Sequence, residues 1–304
     1  MLGRICYWIF NMSIIATFMG LLVLLIRRFK GIPRRLMVFL WAVPFIRMCI
    51  PLGINSRYSL LTLISKFTTR TVTVSQPSEM LELSFTNTIM QADSYSPFTF
   101  KDNLVSNIFA VAGLIWVIGA VSIIIALTIL YVGTKREIKD ATRISKNVYF
   151  SAKVDSPAVY GIIRPKIIIP ESYSERDLAY ILQHERTHIR RGDNLWRLLG
   201  FMAAAIHWFN PFSWIFLKSF LTDIELACDE SAVAAYSTEE RKAYATALLD
   251  CTQSKSLFVS AFGGAKVRMR IENVLSYKKM TVVSACGFTI LILAIMYTLL
   301  TNAG

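Results

Sequence analysis

The chain has 304 residues, of which 54% are hydrophobic and 17% charged, and its mean hydropathy is +0.48. Soluble globular domains carry about a quarter charged residues, so this composition excludes an ordinary soluble enzyme and indicates a membrane protein with a modest soluble part. The net charge of +13 would suit nucleic acid only if it were gathered on one face, and its distribution shows that it is not.

Four segments are candidate membrane spans, each judged against the ~20 apolar residues that a crossing needs. The first covers about 5–26 and ends at Arg27-Arg28-Phe29-Lys30; it lacks a cleavage site and is read as retained. The second, about 36–52, is short and interrupted by Pro44, Arg47 and Pro51, and an arginine at such depth needs a partner or an interface. The third, 104–132, is unambiguous. The fourth occupies 281–304 with its short tail and follows Lys278-Lys279.

Short basic connections stay in the cytoplasm. Residues 27–35 hold five Lys and Arg and no acid, and residues 133–280 hold 22 Lys and Arg against 16 Asp and Glu. Both termini and the loop 53–103 are therefore expected outside, with 133–280 cytoplasmic. The surplus charge sits beside the membrane, where anionic lipid is its partner. No compact basic domain or recognition motif accompanies it, so no direct nucleic-acid binding is expected. Five cysteines without a CxxC pair read as ordinary buried or membrane-facing thiols.

The chemistry lies in the cytoplasmic part. Residues 175–191 contain no proline or glycine, and Leu178, Ile181, Leu182 and Ile189 recur near helical spacing. His184 and His188 are then stacked on one face and can aim at one metal ion. Glu185 falls beside the ion, where its carboxylate can take a proton from an activated water; this is the content of H-E-x-x-H. Only three histidines occur in the chain, and two of them build this pattern.

A catalytic zinc usually has three protein ligands, so one must come from another element. Asn210-Pro211 reads as an N-cap and first helical position, starting a helix through about Ala235 that carries Asp223, Glu225, Asp229 and Glu230. Glu225 and Asp229 share a face. Glu225 is assigned to the metal and Asp229 to a hydrogen bond on the far nitrogen of a ligand histidine. Asp223 is the fallback ligand. Asp193 is too close in sequence to be a ligand and is given a capping role or a bond to Arg190 or Arg191. His207 could bind metal but sits in an apolar stretch that suits a core histidine. Upstream, Val159, Tyr160, Gly161, Ile162 and Ile163 precede Arg164-Pro165 and a second β-branched run. They read as a hairpin or edge strand, on which a substrate peptide could lie as an added strand. Between the catalytic helices and the last span, Ser256, Leu257, Phe258, Val259, Ser260, Ala261 and Phe262 open a small-residue stretch read as a candidate self-cleavage region.

Four strings carry a family resemblance: Gly161 to Pro170, His184 to Asn194, Ile206 to Pro211 and Asp223 to Glu230. In them the chain resembles the BlaR/MecR-type antirepressor membrane metallopeptidases of bacteria. The resemblance implies a mainly α membrane protein of four transmembrane helices, with a cytoplasmic α+β gluzincin-type metallopeptidase domain between the third and fourth. It implies three spans and the external loop over 1–132, the peptidase domain over 133–280 and the last span over 281–304. It also implies Zn2+ held by His184, His188 and Glu225 with Glu185 as general base, and cleavage of the chain itself and loss of a repressor of BlaI/MecI type. The last string is also similar to the E-x-x-x-D helix of HtpX-related membrane peptidases. The family's penicillin-binding sensor does not follow the fourth span before Gly304. A separate extracellular sensor or penicillin-binding protein, a longer parent chain or a different inducer is therefore expected, and a homodimer is left open. The rival readings are an HtpX-like quality-control protease and a non-catalytic receptor or adaptor.

Overall fold

The computed structural model describes residues 2–29, 31–50, 55–60, 62, 103–154, 156–170, 175–250, 267–279 and 281–303. The described chain is mainly helical, and among its described residues three helices are long and apolar enough to cross a membrane. The first is α1 (Leu2–Ile26), apolar over Ile5–Ile26. The segment expected as a second span is instead two short helices, α2 (Arg34–Leu40) and α3 (Ala42–Cys49), meeting at Trp41. Pro44 explains the break: it has no N–H for the carbonyl of Leu40, and its ring crowds that carbonyl.

A two-residue strand β1 (Asn55–Ser56) precedes the second long helix, α4 (Asn103–Glu137), apolar over Ile108–Arg136. The soluble part then opens with four strands, β2 (Thr142–Arg143), β3 (Val148–Phe150), β4 (Ala158–Tyr160) and β5 (Lys166–Ile169). Their order across the sheet is β2-β3-β5-β4, with β3 and β5 parallel and the outer pairs antiparallel. Five helices follow: α5 (Glu175–Arg191), α6 (Asp193–Ile206), α7 (Pro211–Ala232), α8 (Thr238–Asp250) and α9 (Val267–Leu275), with a 3-10 turn at Val233–Ala235. The third long helix, α10 (Val282–Leu300), leads to β6 (Asn302–Ala303), which pairs in parallel with β1.

Arg47 has the partners that its depth demands. It is buried, and its guanidinium donates to the carbonyls of Leu299 and Thr301 at the end of α10. Those carbonyls belong to the last turn, which has no helical N–H left to meet them.

Helix α7 is the centre of the molecule. Its Phe216, Leu217, Phe220, Leu221 and Ile224 are buried with Ile15, Ala16, Met19 and Val23 of α1 and with Met37, Leu40 and Val43 of α2 and α3. A glycine makes the contact with α1 close enough: a Cβ at Gly20 would stand 2.2 Å from the ring of Phe216, which has no exposed surface. Gly20→Ala is therefore expected to overpack this seam and destabilise the protein by about 1–3 kcal/mol, whereas Gly31→Ala, with nothing within 4 Å, should be neutral. Melting temperatures of the two detergent-solubilised variants that match would contradict the packing argument.

Candidate metal centre

Helix α5 has two partners, and they determine which residues face where. Leu178, Leu182 and Ile189 pack on Val148, Ile167 and Ile169 of the sheet, and the histidines turn toward α7. The Nε2 atoms of His184 and His188 face each other 3.1 Å apart. The Glu225 carboxylate of α7 approaches both, with Oε2 3.7 Å from His184 Nε2 and Oε1 3.7 Å from His188 Nε2. Ligands at the usual zinc–nitrogen distance on a tetrahedron stand about 3.4 Å apart, so two imidazoles and a carboxylate converge at the separations that such an ion requires. Glu185, next along α5, is buried and forms no ion pair among the described residues.

The outer ring nitrogens are held as well. Gly192 adopts φ +67°, a left-handed turn open to glycine at little cost. It ends α5 and swings Asp193 back so that its carboxylate accepts from His188 Nδ1 at 2.7 Å, while Arg191 also donates to it. Asp193 does reach an arginine, as the sequence reading expected, but its shorter contact is to the histidine. His184 Nδ1 lies 2.8 Å from the Tyr244 hydroxyl and 3.2 Å from Asp229, and Tyr244 in turn donates to Asp229. Arg270 of α9 donates to both Asp229 oxygens at 2.8 Å. Carboxylates on Nδ1 keep the proton there and leave Nε2 free as the donor atom toward the centre.

The electrostatics favour a cation. Burial works against charge on Asp229, but Arg270 and His184 outweigh it and hold the carboxyl down at about 2. Burial likewise opposes the Glu225 carboxylate, yet His188, His184 and Arg197 keep it well below the usual range. For both histidines burial favours the neutral ring. Cys228 with Tyr244 at His184, and Cys228 with Glu225 at His188, outweigh it and place both well above the ordinary imidazole value. A cluster that draws protons this strongly also draws a metal ion, and the two compete.

Several residues in this cluster were not foreseen. Cys228, read as an ordinary thiol, has its Sγ 3.7 Å from His184 Nδ1 and forms with His184 and His188 a buried trio whose ligand atoms lie within 4.8 Å of one another. It sits beside Nδ1 of His184, whereas Glu225 faces Nε2 of both rings. Arg197 pairs with Glu225, and Arg270 Nη2 lies 3.1 Å from His184 Nε2. The spacing of Glu225 and Cys228, three apart on one helix, was a readable signal; Tyr244 and Arg270 offered none.

The remaining candidates stand apart from this cluster. Asp223, the fallback ligand, is fully buried on Arg27 and Trp41, 2.8 Å from each. His207 is buried at the end of α6 and donates from Nδ1 to the Ala203 carbonyl. Of the residues expected as a strand, Val159 and Tyr160 lie in β4 at the sheet edge, Gly161 turns at φ +89°, and Ile162 and Ile163 are exposed beyond it. Asn194 of α6 donates to the carbonyls of Val159 and Gly161, so a peptide adding there would displace that amide. Residues Ser256 to Phe262 lie outside the described residues.

Removing a carboxylate that orients a ligand histidine typically weakens metal binding about 10–100-fold. Asp193→Ala and Asp229→Ala are each expected to do so in competition titrations against a chromophoric chelator. Unchanged affinity in both would show that these contacts do not support a metal site.

The model of the family described as BlaR1 peptidase M56 matches residues 7–274. The chain is 27% identical over 174 residues to the regulatory protein BlaR1 of Bacillus licheniformis, covering 52% of this chain and 29% of that protein. It is 26% identical over 117 residues to the methicillin resistance mecR1 protein of Staphylococcus aureus, covering 37% and 20%, respectively. The regulatory protein BlaR1 of Staphylococcus aureus matches at 24% over 158 residues, 47% of this chain and 27% of the relative. The chain thus spans less than a third of the length of these relatives. A family match that runs from α1 to α9 takes in two of the three long apolar helices, α1 and α4, and the whole histidine–carboxylate cluster, and the chain belongs to the BlaR1 peptidase M56 family.

Proposed function

We propose that this membrane protein is a zinc metalloendopeptidase whose catalytic part faces the cytoplasm and whose cleavage serves a regulatory response to cell-wall antibiotics. The observation that carries the reading is the Glu225 carboxylate facing the Nε2 atoms of both His184 and His188. These three residues would hold the ion. When bound, zinc supplies Lewis acidity, which acidifies a water molecule and polarises the scissile carbonyl. Glu185 takes the proton of the attacking water and delivers it to the leaving nitrogen. Asp193 and Asp229, the latter with Tyr244, hold the two imidazoles in the productive tautomer.

The relatives' printed names, methicillin resistance protein and regulatory protein, support a role in the β-lactam response. On this reading the substrates are the chain itself, with residues 256–262 as the candidate site, and a repressor of BlaI/MecI type. An extended substrate would lie along β4 next to α5. The basic connection of residues 27–35 supports the orientation with both termini outside. One observation favours a second reading, a non-catalytic receptor: Arg270 and Arg197 already neutralise the acidic cluster.

Two measurements separate the readings. N-terminally tagged wild-type protein in bacterial membranes is expected to yield a shorter fragment on immunoblots, raised by a cell-wall antibiotic. Glu185→Ala should lose it, with turnover down at least about 100-fold and metal content unchanged. A Glu185→Ala protein that cleaves normally would overturn the assignment, and full-length bands throughout with no bound metal would favour the receptor. The second measurement is metal occupancy against pH. Because both histidine pKa values are raised, protons displace the ion as pH falls through that raised range, and occupancy should drop on acidification. Occupancy that stays flat from alkaline to mildly acidic pH would argue against imidazole ligands.

A further inference from the structure

Residues 198–217 contain no charged side chain, yet Asn210 and Pro211 interrupt them and they form no single span. They fold instead as the tip of the hairpin made by α6 and α7. Two polar ties show how this hairpin lies against α1. At its tip the Asn210 amide donates to Ser13 and Thr17; at its root Asp223 meets Arg27. Phe216 seats on Gly20 between them. Ser13 to Arg27 on α1 and Asn210 to Asp223 on α7 each cover about 20 Å of helix, so the two helices run side by side in the same direction. Arg27 closes the first span on its basic side, which places the tip about 20 Å into a hydrocarbon core of ~30 Å.

Counted from the outer end of its apolar run, helix α4 agrees with this depth. Trp116 donates to the carbonyl of Ile206, and the Trp208 indole donates to the carbonyl of Trp116. Trp116 is eight residues past Ile108 and Ser13 eight past Ile5, so both contacts lie about 12 Å from the other end of their spans.

The turn at the tip has the hydrogen bonding that this depth requires. Non-helical backbone is tolerated within a bilayer only where protein groups satisfy it. The carbonyl of Ile206 accepts from Trp116, that of Trp208 from Trp214, and those of His207 and Asn210 from Ser213. The Asn210 side chain caps the N–H of Phe212. On the outer face, Leu195, Leu198, Leu199 and Met202 repeat at helical spacing along α6 and are 37–49% exposed, and Ile215 of α7 is 46% exposed. Lys218, also exposed, lies only about 7 Å below Asp223, within reach of the surface for its alkyl stem.

We propose that the hairpin of α6 and α7 enters the bilayer from the cytoplasmic side and that lipid acyl chains cover its outer face. The claim concerns topology and is independent of peptide hydrolysis. The full chain is reconstituted in phosphatidylcholine vesicles that contain a lipid with a diazirine midway along one acyl chain, photolysed, and mapped by mass spectrometry. A parallel sample receives a water-soluble diazirine. Acyl adducts on residues 195–202 and Ile215 are expected within about threefold of those on Ile118 and Ile125 of α4, which face the same core. The exposed start of α8, residues 239–242, should take the aqueous probe instead. Aqueous labelling of 195–202 would overturn the proposal, and so would labelling by neither probe, since protein, such as a second copy of the chain, would then cover that face.

Discussion

Asp223 has no exposed surface and lies at the level where α1 leaves its apolar run. A carboxylate buried there without compensation would cost several kcal/mol, and it is met by the guanidiniums of Arg27 and Arg34 and by the Trp41 indole. Two turns farther on, Glu230 accepts from the backbone N–H groups of Arg34 and Arg35 and so supplies the free amides at the start of α2. These two acids bracket Glu225. The register of α7 against α1 and α2 therefore also sets where Glu225 stands relative to the α5 histidines.

The cluster that results alternates in sign. Two imidazoles face one carboxylate, two more carboxylates hold the imidazoles from behind, Arg197 and Arg191 sit outside the acids, and Arg270 reaches from Asp229 to His184 Nε2 and Glu225. Apart from Glu185, each of these buried charges thus has a partner of opposite sign, which is the condition for keeping charge out of water. On the reading proposed here His184, His188 and Glu225 would hold zinc, a compact cation that takes nitrogen and oxygen donors together.

The chain uses one helix for two purposes. The first half of α7 is apolar and packed among the long helices, while its second half carries Glu225, Cys228 and Asp229. The contacts of Arg27, Arg34, Arg35 and Trp41 with Asp223 and Glu230 continue along that second half. One continuous helix thus joins the packing of the membrane helices to the histidine–carboxylate cluster.

The sequence alone was enough for what depends on local spacing. The apolar runs of α1, α4 and α10 need only length and composition to be seen, and His184, Glu185 and His188 need only the period of a helix. The pairing of Glu225 with Asp229 follows the same period, and the Asn210-Pro211 start of α7 is a local capping pattern. Elsewhere the tertiary structure decided. Asp193 reaches His188 only because Gly192 takes a left-handed turn; Arg270 and Tyr244 come to His184 from 86 and 60 residues away. The second expected span breaks at Trp41 because Pro44 cannot donate, and Arg47 finds its acceptors some 250 residues on. The apolar stretch that holds His207 was visible in the sequence, but its place in a hairpin against α1 rests on Asn210 meeting Ser13 and Thr17. Contacts of this kind depend on where separate helices come to rest, and sequence periodicity carries no information about that.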